Sequence, residues 1–224
     1  MAYGPRPRLR KAALATVLAT VWVSAAAAQQ QITIAALGDS LTQGYGLPEE
    51  EGFVPQLRGW LSGHGADDVE VINAGVSGDT SAGGLSRIAW TLGDDVDGLI
   101  VALGANDVLR GIEPDVTRSN LDGILRAADD AGVPVLLSGM RAPGNYGPDY
   151  KAAFDAIYPD LAEKYGAILH PFLLRGLGGN EDVMSVRDLM QPDGLHPNAQ
   201  GVTRIVADIG PYVLELVERA RSGD

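Results

Sequence analysis

Short, almost purely apolar runs recur along this chain and alternate with longer amphipathic segments. One of them, Leu-Ile-Val-Ala-Leu at 99–103, contains no polar side chain. A strand of this kind must be covered on both faces, which is typical of parallel sheets that lie between helices. Five runs of this type predict five strands, at 32–37, 69–73, 99–103, 134–139 and 167–170.

The segments between the runs have the periodicity of helices. They predict helices at 53–61, 84–92, 114–131 and 149–165, followed by a last helix that starts near Asn198. In that last segment apolar residues recur at spacings of three and four. Alternating strands and helices predict the α/β class. We therefore expect a three-layer α/β/α sandwich of the flavodoxin-like type, with a five-stranded parallel sheet.

The N-terminal segment has the order of a secretory signal peptide. Four basic residues within the first eleven positions precede an apolar run at 12–23, and four alanines follow at 25–28. The apolar run is shorter than the ~20 residues that span a bilayer. We expect a signal peptide at 1–28, cleavage after Ala28, and one domain over 29–224. That domain would have no stable membrane anchor and would be periplasmic or secreted.

The charge and the cysteine content of the chain limit its partners and its chemistry. Four of its 17 Lys and Arg residues lie within 1–28, so the rest has 13 basic and 29 acidic side chains and a net charge of −16. Such a surface opposes binding to phosphate backbones, so nucleic acid is not an expected partner. The chain has no Cys, which excludes disulfides, thiolate metal sites and Cys nucleophiles.

Polar or small residues that could do chemistry follow the predicted strands. In open parallel sheets ligands bind beyond the carboxyl ends of the strands. Ser40 follows the first strand, Gly75 the second and Asn106 the third. Each has an ordinary alternative role, since Ser caps helices, Gly occurs in turns and Asn closes Asx turns. Taken singly, each of these residues could have either a chemical role or a structural one.

One of the three histidines has a carboxylate close to it in sequence. His196 comes three residues after Asp193, directly before the last predicted helix, whereas His64 lies in a polar loop and His170 ends a strand. We interpret His64 and His170 as structural. A nucleophilic serine needs a base, a group that orients the base, and donors to the oxyanion. The chain supplies candidates for all of these roles in the order Ser, Gly, Asn, Asp, His.

Four segments resemble the signature blocks of the GDSL, or SGNH, hydrolases. They are residues 38–41 (GDSL), 75–81 (GVSGDTS), 104–107 (GAND) and 193–197 (DGLHP). Residues 143–147 (PGNYG) resemble a segment found in one branch of this family, the exported thioesterase I, lysophospholipase and arylesterase enzymes. The blocks extend over almost the whole chain after the signal peptide. One departure is Ala105, where the most similar members often have a second Gly.

The resemblance implies a role for each candidate residue. Ser40 would be the nucleophile and His196 the base, with Asp193 orienting the imidazole. The backbone N–H groups of Ser40 and Gly75 and the side chain of Asn106 would form the oxyanion hole. The reaction would require no cofactor and no metal, and the partner would be a small-molecule ester with an acyl chain.

Two alternatives remain at this point. The four blocks specify acyl transfer but not the acyl donor, so a carbohydrate O-acetyl esterase or acyltransferase is one alternative. A non-catalytic periplasmic binding module is the other. The chain lacks the Gly-x-Ser-x-Gly elbow of common α/β-hydrolases and the Gly-rich phosphate loops.

Apolar residues near the strand ends favour an acyl ester substrate. We expect them to form a groove for short to medium acyl chains, with aryl esters, lysophospholipids and thioesters as further substrates. The predicted rim residues are Leu41, Tyr45, Leu47, Leu109, Met140, Pro143, Tyr146 and Leu195.

Overall fold

The structure is a computed structural model that describes residues 31–178 and 183–223, together with Met1 and Gly4. Apart from Met1 and Gly4, the predicted signal peptide at 1–28 lies outside the described residues. The signal peptide and the domain boundary at 29 therefore stay predictions.

Five parallel strands form one sheet in the order β2-β1-β3-β4-β5. They are β1 (Ile32–Gly38), β2 (Val69–Gly75), β3 (Gly98–Ala102), β4 (Val135–Ser138) and β5 (Ile168–His170). This is the order of flavodoxin-like sheets, in which successive strands are added first on one side of β1 and then on the other, which leaves a crevice at the carboxyl ends of β1 and β3. The predicted strands and fold class are confirmed, and Ser40 and Asn106 lie at that crevice.

Helices cover both faces of the sheet. They are α1 (Ser40–Gln43), α2 (Phe53–Ser62), α3 (Ser81–Thr91), α4 (Ala105–Leu109), α5 (Pro114–Asp130), α6 (Pro148–Asp155), α7 (Ile157–Tyr165) and α8 (Ala199–Ser222). Short 3-10 turns occupy Glu49–Glu51, Gly144–Tyr146, Leu173–Leu177 and Val183–Leu189. Helices α2 and α8 pack together on one face, while α3, α5 and α7 pack on the other.

The core lies on both sides of the central strand. All five residues of β3 are buried, as its apolar sequence predicted. Leu99 faces one helical layer and its neighbours along the strand face the other, since successive side chains of a strand point to opposite faces. Burial of each such Leu, Ile or Val contributes ~1.5–3 kcal/mol. The sheet is therefore a rigid base for the turns at its carboxyl edge.

One predicted helix is divided in two. The segment predicted as a single helix at 149–165 forms α6 and α7, which meet at Ala156. Pro159 lies in the first turn of α7, where it has no N–H to donate to the carbonyl of Asp155 and its ring crowds that carbonyl. Proline is tolerated in the first turn of a helix but not in the middle of one, so the break falls just before it.

Strand β2 is two residues longer than predicted. It continues to Gly75, which pairs with Gly38 at the end of β1. A Cβ at Gly75 would lie 2.4 Å from the N atom of Gln43 and 2.9 Å from the carbonyl oxygen of Asp39. Glycine is therefore required at position 75 because α1 crosses the end of β2 at close range.

Candidate active site

Ser40, His196 and Asp193 form one hydrogen-bonded row at the carboxyl edge of the sheet. Ser40 is the first residue of α1, and its Oγ lies 2.9 Å from Nε2 of His196. Nδ1 of the same imidazole lies 2.7 Å from Oδ2 of Asp193. The structure thus brings together three residues that are up to 156 positions apart in sequence. The first distance suits the transfer of a proton from the hydroxyl to the imidazole, and the second suits a carboxylate that orients the imidazole.

The loop before α8 holds the imidazole in place. The backbone N–H of Gln191 donates to the carbonyl of His196 at 2.7 Å, and the Gln191 side chain donates to the carbonyl of Tyr45 at 2.8 Å. The Tyr45 ring lies against the imidazole, with 4.8 Å between centroids. Since Tyr45 follows α1, these contacts join the His196 loop to the segment that carries Ser40.

Asp193 accepts three hydrogen bonds. Its Oδ1 accepts from the backbone N–H groups of Leu195 at 2.9 Å and of His196 at 3.0 Å, while Oδ2 faces the imidazole. The hydrogen bond from the His196 side chain and the two backbone bonds lower the pKa of Asp193 to about 2. The carboxylate is therefore an anion at neutral pH and holds the Nδ1 proton of His196.

Asn106 lies in α4, directly after β3, and its amide faces the base of the Ser40 turn. Its Nδ2 donates to Oδ2 of Asp39 at 3.2 Å, while Oδ1 of Asp39 accepts from the N–H of Leu41 at 3.0 Å. Asp39 is fully buried. Burial raises the pKa of Asp39 to about 6, although the hydrogen bonds from Leu41 and Asn106 act in the opposite direction. Asp39 thus connects the turn of Ser40 to the side chain of Asn106.

The structure does not bring the N–H of Gly75 to this site. That N–H donates to Oδ1 of Asn73 at 3.0 Å, and Gly75 is not among the residues that line the cleft at Ser40. Because β2 continues through position 75, Gly75 is still part of the sheet and not of the turn that follows it. The structure therefore does not place Gly75 where an oxyanion donor was expected.

Gly78, three residues farther along the chain, does lie at the cleft. It lines the cleft with Ser40 and Asn106. The N–H of Asp79 donates to the carbonyl of Val76 at 3.0 Å, and Gly78 has φ +80°. This is the position of a type II turn that requires glycine. Within the described residues no acceptor takes the N–H of Gly78. The Ser-Gly-Asp sequence after a strand was the signal that could have identified it.

A cleft of about 510 Å³ opens above Ser40 and is lined mainly by apolar side chains. Six of the eight predicted rim residues line it: Leu41, Tyr45, Leu109, Met140, Pro143 and Leu195. Leu47 borders a smaller pocket beside it, and Tyr146 packs on Tyr150 at 4.8 Å between ring centroids. Val108, Phe172 and Leu174 also line the cleft and were missed. Phe172 and Leu174 follow β5, so their place after a strand was the available signal.

A second Ser-His-Asp row lies in the interior. Ser138 Oγ is 2.9 Å from Nδ1 of His170, and Nε2 of His170 is 2.9 Å from Oδ2 of Asp208. Ser138 and His170 are fully buried, and Arg175 also binds Asp208 at 2.7 Å. Burial lowers the pKa of His170, although Asp208 acts to raise it. No substrate can reach this serine, so we interpret the row as structural.

His64, the third histidine, does not line the cleft. His64 stacks on Trp60 with 3.7 Å between centroids, and its Nδ1 lies 2.7 Å from the Trp60 carbonyl oxygen. Within residues 31–178 and 183–223, no group of three or more His, Asp or Glu side chains is arranged to hold a metal ion. No helix in the described part of the chain has the length and apolarity needed to cross a membrane.

Exchange of Asp39 for asparagine tests the connection to Asn106. The folded protein retains the Asp39 proton up to about pH 6, whereas an unfolded Asp releases it near ~3.9. Native protein therefore binds more protons between these values, and its stability falls as the pH rises through them. From pH 4 to pH 8, we expect wild type to lose about 2–3 kcal/mol of unfolding free energy relative to Asp39→Asn.

The same variant should have a lower turnover. Its amide would place a donor against Nδ2 of Asn106, and a misaligned donor should lower kcat by about tenfold. Urea unfolding at both pH values and ester kinetics at pH 8 measure the two effects. Asp97→Asn is the control, because Asp97 accepts from the N–H of Thr33 at 2.8 Å, at the opposite end of β1. A stability difference that does not change with pH would contradict the expectation.

Comparison with known proteins places this chain in a family. The GDSL-like Lipase/Acylhydrolase family model matches residues 36–204. The chain is 38% identical to Esterase TesA of Pseudomonas aeruginosa over 210 residues, which is 93% of this chain and 100% of that relative. It is 40% identical to an arylesterase of Vibrio mimicus over 193 residues, 86% of this chain and 89% of that protein.

A solved structure agrees with these relatives. The crystal structure of AlinE4, an SGNH-hydrolase family esterase, is 44% identical, with a TM-score of 0.68 and coverage of 84% of this chain and 97% of that one. The resemblance noted in the sequence is thereby confirmed. The chain is an ester hydrolase, and it belongs to the GDSL-like lipase/acylhydrolase family.

Proposed function

We propose that this enzyme hydrolyses carboxylic esters with short to medium linear acyl chains, aryl esters among them, through an acyl-enzyme on Ser40. The observation that carries the proposal is the contact of 2.9 Å between Ser40 Oγ and His196 Nε2 at an apolar cleft of about 510 Å³. The hydroxyl, its base and a space for an acyl chain therefore meet at one point.

In the first half of the reaction Ser40 Oγ attacks the ester carbonyl carbon. His196 Nε2 takes the hydroxyl proton, and Asp193 stabilises the resulting imidazolium. The tetrahedral intermediate then expels the alkoxide or phenoxide, which leaves as the alcohol or phenol after it takes that proton. In the second half a water molecule gives a proton to Nε2 and attacks the acyl-enzyme. The carboxylic acid leaves, and Ser40 regains its proton.

Three donors can stabilise the oxyanion of the intermediate. They are the backbone N–H groups of Ser40 and Gly78 and the side-chain amide of Asn106. Among the described residues no acceptor takes either backbone N–H. Nδ2 of Asn106 carries two hydrogens, and only one of them faces Asp39. Donors fixed before the reaction stabilise the developing charge without the cost of reorientation.

The apolar lining supports an acyl ester rather than a sugar acetate. Phe172, Leu174 and Val108 extend the apolar surface beyond the predicted rim. Sugar rings commonly stack on tryptophan, but neither Trp60 nor Trp90 lines the cleft. The same surface would accept the acyl chain of a lysophospholipid or a thioester as a further substrate.

A series of p-nitrophenyl esters from acetate to decanoate tests the acyl preference. Each methylene that enters the cleft contributes up to ~0.8 kcal/mol, about fourfold in kcat/KM. We therefore expect kcat/KM to rise from acetate into the medium-chain esters and to level off where the cleft ends. Hydrolysis without enzyme and with Ser40→Ala gives the background. A maximum at acetate with a steep decline by butyrate would favour the carbohydrate O-acetyl esterase alternative.

The location follows from the predicted signal peptide. Residues 1–28 would direct export, and the enzyme released into the periplasm or medium would begin at Gln29. A substrate met there is an extracytoplasmic ester, which fits a lysophospholipid or an aryl ester better than a cytosolic thioester. The net charge of −16 on the remaining chain also opposes the approach of polyanionic acyl carriers.

A further inference from the structure

Arg87 on α3 donates to three acceptors, at the ends of β1 and β2 and in the turn after β2. Its Nη1 donates to the carbonyl of Ala74 at 2.7 Å, and its Nη2 donates to the carbonyl of Gly38 at 3.0 Å. Its Nε lies 2.8 Å from Oδ2 of Asp79. The side chain is only 19% exposed. One planar guanidinium therefore joins the end of β1 to the segment after β2.

Each acceptor of Arg87 lies close to an oxyanion donor. Gly38 is two residues before Ser40, and Asp79 directly follows Gly78. Ala74 precedes the turn that carries Gly78, so Arg87 holds that turn at its start and at its end. The carbonyl of Gly38 also accepts from the N–H of Val76 at 3.1 Å. The two turns are thus joined by one backbone hydrogen bond and one guanidinium.

The start of α3 is also hydrogen-bonded to α4, the short helix that carries Asn106. The N–H of Ser81 donates to Oδ2 of Asp107 at 2.8 Å, and the hydroxyl of Thr117 donates to Oδ1 at 3.1 Å. Asp107 is fully buried and directly follows Asn106. Through Ser81 and Arg87, α3 therefore contacts the segments of all three oxyanion donors.

We propose that Arg87 is a positioning residue that fixes the distance between the N–H groups of Ser40 and Gly78. The proposal rests on the oxyanion roles proposed above. Arg87 touches neither His196 nor Asp193, so it acts on the oxyanion hole and not on the base. Lysine could not replace it, because an ammonium lacks the fixed fork that reaches three acceptors at once. A displacement of about 1 Å at such a site costs on the order of 10²-fold in rate.

The test compares Arg87→Met and Arg87→Lys with a matched control. Arg58→Met is that control, since Arg58 donates to the carbonyl of Val71 at 2.9 Å and pairs with Glu70 at 3.0 Å. It makes the same kinds of contact on the same strand, away from the cleft. We expect both Arg87 variants to lose about 10- to 100-fold in kcat, with KM within about threefold of wild type.

An oxyanion mimic separates positioning from a general loss of structure. The Ki of an alkyl trifluoromethyl ketone should rise by the same factor as kcat falls, while Arg58→Met keeps both within about threefold. If Arg87→Met does not fold, Arg87→Lys decides by the same criteria. The proposal is overturned if kcat or Ki of the Arg87 variants stays within about threefold of wild type, or if Arg58→Met loses as much.

Labelling with a fluorophosphonate distinguishes this outcome from a failure of the proposed function. Both Arg87 variants should still be modified at Ser40, only more slowly than wild type. Absence of labelling in the wild-type enzyme would instead remove Ser40 as the nucleophile.

Discussion

Replacement of Ser40 by alanine is expected to lower kcat for ester hydrolysis by about 10⁴- to 10⁶-fold while the fold stays intact. Oγ of Ser40 is the atom that would attack the carbonyl, and no other hydroxyl in the described residues lies within 3 Å of His196 Nε2. Alanine is compatible with the first position of α1, because the cap of that helix is Asp39 and not Ser40. The melting temperature should therefore change little.

The interior row of Ser138, His170 and Asp208 supplies a matched control. It contains the same residue types at similar distances, but its serine and its histidine are fully buried. Ser138→Ala should retain kcat per folded molecule. It should lose about 1–3 kcal/mol of stability, because Nδ1 of buried His170 loses its partner. Ser40→Ala should thus lower kcat and leave stability unchanged, whereas Ser138→Ala should lower stability and leave kcat unchanged.

Kinetics of purified Ser40→Ala and Ser138→Ala, with urea unfolding of both, make this comparison. A fluorophosphonate should modify wild type and Ser138→Ala at position 40 and leave Ser40→Ala unmodified. If Ser40→Ala kept more than about a tenth of the wild-type kcat, the assignment of the nucleophile would fail.

The fold could be predicted because its signals are local. Strand β3 is apolar throughout, and a chain that must bury such a strand on both faces has few architectures open to it. Two element boundaries were predicted wrongly, and each depends on a single residue or a single pairing. The break between α6 and α7 depends on a single proline, Pro159. The extra length of β2 depends on pairing of Gly75 with Gly38 in another strand, which no local pattern shows.

The row of Ser40, His196 and Asp193 was accessible to sequence reasoning for a similar reason. Asp193 and His196 are three residues apart, so one turn of chain already brings them together. The proposed oxyanion donor after β2 was harder to place, since the choice between Gly75 and Gly78 depends on where the strand ends. Arg87 gave no signal at all, because its three acceptors are brought to it only by the assembled sheet.

Exchange of Asp193 for asparagine has the second largest expected effect. Oδ1 of Asp193 binds two backbone N–H groups, and asparagine can keep these bonds with its own oxygen. The loop should therefore keep its shape. The amide nitrogen would then face Nδ1 of His196 in place of Oδ2. A donor at this point forces Nδ1 to accept, so the proton moves to Nε2, which then donates to Ser40 and can no longer take its proton.

This wrong tautomer should lower kcat by about 10⁴-fold near pH 7, with little change in KM or melting temperature. In wild type the low pKa of Asp193, about 2, keeps the carboxylate charged at that pH. Asp149→Asn, at an exposed position in the first turn of α6, is the control for loss of one negative charge. Because the variant keeps both loop hydrogen bonds, a large fall in kcat with an unchanged fold separates orientation of the base from support of the loop. A kcat within about tenfold of wild type would show that His196 finds its tautomer without Asp193.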